Sequence, residues 1–304
     1  MRKRIVFMGT PNYAAVILQQ LIDTENIDIV AVFTQPDKKV GRKQELKMSE
    51  VKEVALTASL EISQPQKLRD EENVKTLQSL KPDMMIVAAY GQILPKSILD
   101  IAPCVNLHAS LLPQYRGASP IQQMLLNSDS FGGVTAMLMN EGLDTGDILS
   151  FTVLSIDKDM MLSDLYEKLT TMASELTKKV IVDFDKLKPV KQKGSQSSHC
   201  KKITKEEGMT DLSDALQSYN KYRAFTPWPG IFLENKIKLL EIGLHDTQGL
   251  HTAGEILEIR KEDVIIGCTK GSLSVKKLQP PSKKPMDIHS YLNGKHLRVG
   301  NSLL

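Results

Sequence analysis

Hydrophobic and polar positions follow two rhythms along this chain, and they predict two kinds of architecture. Apolar runs at 5–8, 27–34, 84–89 and 105–108 have the length and β-rich composition of buried strands. Between and after them, apolar residues recur at helical spacing, which predicts helices over 49–60, 70–80, 119–127 and 162–183. A further helix carrying Ala15, Leu18, Leu21 and Ile22 follows the turn Gly9-Thr10-Pro11. Runs too continuous to be one-faced, in β-α-β order, predict an α/β fold with an open, mostly parallel sheet covered by helices on both faces. Residues 134–139 and 148–155 are expected to extend this sheet as a hairpin.

The rhythm changes after residue 185. Residues 186–205 hold seven Lys and no acid, with Gly194-Ser195-Gln196-Ser197-Ser198 in the middle, the composition of a solvated linker. A helix over 212–222 then precedes short strands near 231–242, 254–259, 263–268 and 272–278. Strands spaced roughly 8–12 residues apart predict a small OB-like β-barrel. The expected division is a catalytic domain at 1–185, a lysine-rich linker at 186–205 and a C-terminal β-barrel domain at 206–304.

The chemistry concentrates in residues 104–120. Val105, Leu107 and Ala109 alternate with Asn106, His108 and Ser110, so Asn106 and His108 share one strand face about 7 Å apart at ~3.3 Å per residue. Pro113 ends the strand, and Pro120 suits the first turn of a helix. An amide and an imidazole meeting at the carboxyl end of a strand stand where an open α/β sheet binds its ligand. By contrast, the Gly9 turn carries only one of the three glycines of a dinucleotide fingerprint, and no Walker sequence is present.

The stretch N-x-H-x-S-L-L-P followed by Y-R-G-A-S-P resembles the signature of the enzymes that transfer a formyl group from 10-formyltetrahydrofolate. The opening M-G-T-P, F-T-Q-P-D-x-x-x-G-R at 33–42, R-A-F-x-P-W-P-G at 223–230 and the terminal L-N-G-x-x-L-x-x-G extend the likeness from end to end. Tyr13 stands where that family usually has Phe, and the family's Pro near Met48 is missing. The resemblance implies a Rossmann-like formyltransferase fold. It assigns catalysis to Asn106, His108 and Asp144 of the loop Glu141-Gly142-Leu143-Asp144-Thr145-Gly146-Asp147. Asn106 and a protonated His108 are expected to stabilise the oxyanion, and Asp144 to orient His108 and help remove the proton. The folate is expected between Tyr90 and Gly91 on one side and Ser110, Leu111, Leu112 and Pro113 on the other, with Gly142 nearby. The implied acceptor is methionine on charged initiator tRNA, held by Lys38, Lys39, Arg42 and Lys43. A related enzyme acting on a nucleotide-linked amino sugar shares the N-x-H core but has no use for these basic residues.

Charge and cysteine content sharpen this picture. The net charge is only +3, yet three tracts are basic: residues 38–52, the linker, and 270–298. Basic tracts on a nearly balanced chain suit a nucleic-acid surface. Phe225 and Trp228 are expected to pack rather than stack on bases. Cys104, Cys200 and Cys268 are odd in number and have no C-x-x-C, as in a reducing cytosol, and no metal site is expected, His199-Cys200 included. No apolar run approaches the ~20 residues of a membrane span, so a cytoplasmic enzyme is expected, and a monomer is the expected state.

Overall fold

The computed structural model describes residues 2–41 and 43–304 and divides into two compact units. The first comprises residues 1–120, 131–155 and 164–200; the second comprises 121–130, 156–163 and 201–304. Two short segments of the amino-terminal half therefore belong with the carboxyl-terminal half, which no change of composition announces.

In chain order, the first half contains β1 (Lys3–Gly9), α1 (Asn12–Ile22), β2 (Ile27–Phe33), β3 (Lys38–Val40), β4 (Glu45–Lys47), α2 (Glu50–Thr57), β5 (Ile62–Ser63) and α3 (Glu71–Leu80). There follow β6 (Met84–Ala88), α4 (Lys96–Leu99), β7 (Cys104–His108), β8 (Arg116–Gly117), α5 (Pro120–Leu126), β9 (Phe131–Leu138), β10 (Ile148–Ser155), α6 (Leu162–Asp183) and β11 (His199–Cys200).

Seven strands form one sheet in the order β10-β9-β7-β6-β1-β2-β5. The pairs from β7 through β5 are parallel, whereas β9 and β10 form the expected antiparallel hairpin. Ile5, Val6, Phe7 and Met8 of β1 are all fully buried. Val6 and Met8 join a cluster with Phe33, Leu77, Met85, Val87, Tyr90 and Ile98. Strand alternation sends Ile5 and Phe7 to the opposite face, so both faces are covered. The parallel register places Gly9 beside Ala88 and Val87 beside Asn106. The carboxyl ends of β1, β6 and β7 thus bring the Gly9 turn, Tyr90-Gly91 and the Asn106/His108 pair to one side of the unit.

The second half contains α7 (Ala215–Phe225), β12 (Ile231–Phe232), β13 (Lys238–Asp246), β14 (Ile256–Ile259), β15 (Val264–Gly267), β16 (Ser272–Gln279), β17 (Met286–Asp287) and α8 (Ile288–Lys295). Its antiparallel sheet runs β12-β13-β16-β15-β14, with β17 also on β16. Among the described residues β12 and β14 do not pair with each other, so the OB-like sheet remains open. Asp214 caps α7 by accepting the Gln217 N–H at 3.1 Å. Phe225 is buried, but Trp228 is 57% exposed. This corrects the expectation that both aromatics pack: the tryptophan lies on the surface of its unit.

Candidate active site

Three groups from two segments converge on one carboxylate. Asn106 Nδ2 lies 3.5 Å from Asp144 Oδ1, and His108 Nδ1 lies 3.7 Å from Asp144 Oδ2. The Gly117 N–H donates to the same Oδ2 at 2.8 Å. Asp144 reaches them because the loop joining β9 to β10 folds back over the sheet face that bears Asn106 and His108. Asn140 Oδ1 shapes this loop by accepting the Gly142 N–H at 3.0 Å and the Thr145 hydroxyl at 2.8 Å. Asp144 itself has φ +52, a left-handed conformation that Asp tolerates better than most residues.

His108 is buried, and its Nε2 lies 2.8 Å from the Tyr115 carbonyl oxygen. A carbonyl can only accept, so Nε2 carries a hydrogen, and the other ring nitrogen, Nδ1, lies toward Asp144. One ring N–H is already committed to the protein, and the other nitrogen faces a carboxylate.

The segment holding Tyr115 and Gly117 is fixed from the supposed linker. Strands β8 and β11 pair in parallel, Arg116 opposite His199 and Gly117 opposite Cys200. The Tyr115 N–H donates to Ser198 Oγ at 2.9 Å and the Arg116 N–H to Ser198 O at 2.9 Å. Gly117 has φ +114, and a Cβ there would overlap the Cys200 carbonyl. Only glycine brings its N–H to Asp144 by this route. Cys200 is a buried thiol, held above the usual thiol range by desolvation. Gln192, Ser198 and Cys200 of residues 186–205 are therefore bonded into the site, while the seven lysines there are exposed as a solvated segment's would be.

The other expected site residues are distributed around this centre. Ser110 is fully buried and spends its hydroxyl on Gln114 O at 2.6 Å, while Thr135 Oγ1 donates to Ser110 O and accepts the Leu112 N–H. Ser110 thus builds the turn, leaving the partly exposed Leu111 and Pro113 to face outward. Tyr90 is buried with its phenol pushed up by desolvation, and neither its Oη nor Gln35 Nε2 has a hydrogen-bond partner among the described residues. Gly91 beside it is exposed with φ +85. Glu141, Gly142 and Leu143 are exposed. Among the described residues, no group of three or more His, Cys, Asp or Glu is placed to hold a metal ion.

The basic loop of 38–52 contains a hairpin that the sequence did not announce. Strands β3 and β4 pair Lys38 with Lys47 and Lys39 with Leu46, and Leu46 is 71% exposed. Lys47 is paired with Glu50 at 2.9 Å and Lys52 with Asp37 at 2.7 Å. Among the described residues no ion pair holds Lys38, Lys39 or Lys43, and all three are exposed. The fourth basic residue expected here, Arg42, lies outside the described residues. None of the described helices is long and apolar enough to cross a membrane.

The sequence profile of formyl transferases matches residues 3–181, and that of the formyl transferase C-terminal domain matches residues 202–296. The chain belongs to the formyl transferase family. It is 53% identical over 300 residues to the methionyl-tRNA formyltransferase of Sulfurimonas denitrificans, covering 99% of each chain. It is 54% identical over 301 residues to that of Nitratiruptor sp., covering 98% of this chain and 99% of the relative. Among solved structures, the fold resembles an N-formyltransferase from Helicobacter canadensis, solved with folinic acid and dTDP-3-aminofucose. The TM-score is 0.68 at 20% identity, over 90% of this chain and 99% of that one.

Within the formyl transferase site, sequence reasoning missed Tyr115, Asn140 and Gln192. Tyr115 acts through its backbone carbonyl, and Asn140 and Gln192 through side-chain amides bonded to loop backbone, so none of them leaves a spacing pattern in the sequence.

Proposed function

We propose that this chain transfers the formyl group of 10-formyltetrahydrofolate to the α-amine of methionine on charged initiator tRNA. About half of all residues are shared with methionyl-tRNA formyltransferases along essentially their whole length. The observation that carries the catalytic part is the convergence of Asn106, His108 and the Gly117 N–H on Asp144.

Formyl transfer to an amine develops negative charge on the formyl oxygen, and a positioned donor there lowers the barrier. Asn106 supplies it: at 3.5 Å its Nδ2 is held only loosely by Asp144 and can turn to the incoming oxygen. The α-amine beside an ester has a pKa at or below the ~7.7–8.0 of an ordinary α-amine, so much of it is neutral near physiological pH. As it attacks it must lose a proton, and the Asp144 carboxylate with His108 Nδ1 beside it accepts that proton as a pair. Asp144 then faces an imidazolium at ion-pair distance, with its own Oδ2 fixed by Gly117. The bond from the folate nitrogen to the formyl carbon breaks, and that nitrogen regains a proton.

The exposed backbone of Gly91, beside the buried Tyr90 and without a side chain in the way, suits close approach by a flat heterocycle. Leu111, Leu112, Pro113 and Gly142 complete the folate lip. Lys38, Lys39 and Lys43, with Arg42, hold tRNA phosphates. The exposure of Lys38, Lys39 and Lys43, which no ion pair holds among the described residues, supports this reading. These substrates are those of a cytoplasmic enzyme.

The test offers the purified chain radiolabelled 10-formyltetrahydrofolate with methionine-charged initiator tRNA or with a nucleotide-linked amino sugar. Label on the tRNA-bound methionine supports the proposal. Label on the sugar with none on the tRNA replaces it with the amino-sugar activity.

A further inference from the structure

We infer that Gln192 is a positioning residue for the catalytic carboxylate, an inference that rests on the role proposed above for Asp144. Its side chain uses both ends of its amide. Nε2 donates to the Asp144 carbonyl at 2.9 Å and to the Gly146 carbonyl at 2.7 Å. Oε1 accepts from Arg116 Nε at 3.1 Å and Arg116 Nη2 at 2.7 Å. One amide therefore ties the loop that carries Asp144 to the segment whose Tyr115 and Gly117 hold His108 and Asp144.

The backbone around Gln192 is anchored as well. Val190 and Ile148 exchange N–H to O bonds at 2.8 and 2.9 Å, fastening the segment to the first residue of β10. The β8–β11 ladder fastens its other end beside Gly117. Between these two anchors the flanking Lys191 and Lys193 are exposed while Gln192 turns inward. Arg116 is itself buried, so the amide oxygen also satisfies a cation withdrawn from water.

The geometry requires a neutral amide. A carboxylate accepts from Arg116 but has no hydrogen for the two carbonyls and repels them; a thioether makes neither set of bonds. Gln192→Glu keeps the Arg116 half of the clamp and loses the Asp144 half. Asp144, in a left-handed conformation with its carbonyl released, then shifts relative to His108. Displacements near 1 Å at a reacting centre cost roughly 10²-fold in rate.

The experiment measures kcat, KM for each substrate and thermal stability for Gln192→Glu, Gln192→Met, Asp144→Asn and the surface control Gln196→Ala. The expected result is a kcat lowered roughly 10²-fold in Gln192→Glu. Its KM values should stay near those of the parent while its melting temperature falls modestly with the released carbonyls, with Gln192→Met equally slow and Gln196→Ala unchanged. If Gln192→Glu fails to fold, Gln192→Met is read alone. Parent kcat in the folded Gln192 variants, or a loss confined to KM for tRNA, overturns the inference while an inactive Asp144→Asn leaves the catalytic reading standing. Full activity of Asp144→Asn overturns the catalytic reading itself.

Discussion

His108 Nε2 lies 2.8 Å from the carbonyl oxygen of Tyr115, seven residues further along the chain. The acceptor fixes the ring's tautomer and turns the basic nitrogen toward Asp144, so a backbone carbonyl decides what the histidine can do. His108→Ala removes the proton acceptor and should lower kcat on the order of 10²–10⁴-fold. His108→Gln keeps a donor for Tyr115 without a basic nitrogen and should be nearly as slow. Parent activity in His108→Gln, measured by formyl transfer at saturating substrates, would remove the base from the mechanism.

Asn106→Ala deletes the donor to the developing oxyanion without disturbing His108. We expect kcat to fall on the order of 10²–10³-fold with KM little changed. A rise in KM at constant kcat would make Asn106 a ground-state binding group instead.

Gly117→Ala tests the backbone route to Asp144. The φ of +114 and the overlap with the Cys200 carbonyl make any side chain there strained. Such backbone strain costs about 1–3 kcal/mol. The variant should melt earlier, and its folded fraction should turn over slowly because the N–H no longer meets Oδ2. A melting temperature and kcat equal to the parent's would show that the segment relaxes without penalty.

Removing Lys38 or Lys43 should weaken use of charged tRNA and reduce its salt dependence. The slope of log affinity against log salt should fall by about 0.7–0.9 for each phosphate that the variant no longer neutralises. Steady-state kinetics over a salt series gives the slope; an unaltered slope removes that lysine from the tRNA surface.

Much of this site was legible because it sits on a strand. Period-two alternation put Asn106 and His108 on one face, and the apolar runs flanking 140–147 gave the hairpin whose loop carries Asp144. The role of Tyr115 was not legible, since any residue offers the same carbonyl. Gln192 and Cys200 were hidden by their lysine-rich neighbours: composition averages over a segment, whereas here alternate residues face inward and outward. The β3–β4 hairpin was missed for a related reason, because Lys-rich strands lack the apolar alternation that marks a pairing edge. Trp228 shows the converse limit, an aromatic in a rigid proline-rich stretch that lies on the surface.

Burial also sets a limit at alkaline pH. Desolvation raises the Cys104 thiol from 9.0 to about 12 and, together with Asp214 and Asp211, raises Cys268 to about 12. The folded chain therefore holds these protons more tightly than the unfolded chain. That contribution to stability is complete below about pH 9, declines as pH rises toward about 12 and is lost above it. Thermal melts over this range should show falling stability, with a shallower decline in Cys104→Ala. Equal slopes in parent and variant would contradict it.

The central claim is that His108 and Asp144 act as one unit, and a double-mutant cycle in kcat tests it most directly. Single-turnover rates with formyl donor and charged tRNA both saturating should be measured for His108→Ala, Asp144→Asn and the double variant. If the carboxylate works by stabilising the imidazolium, the double variant should be hardly slower than the worse single variant. Losses that add in full would mean that Asp144 acts apart from His108, and the pairing would have to be abandoned.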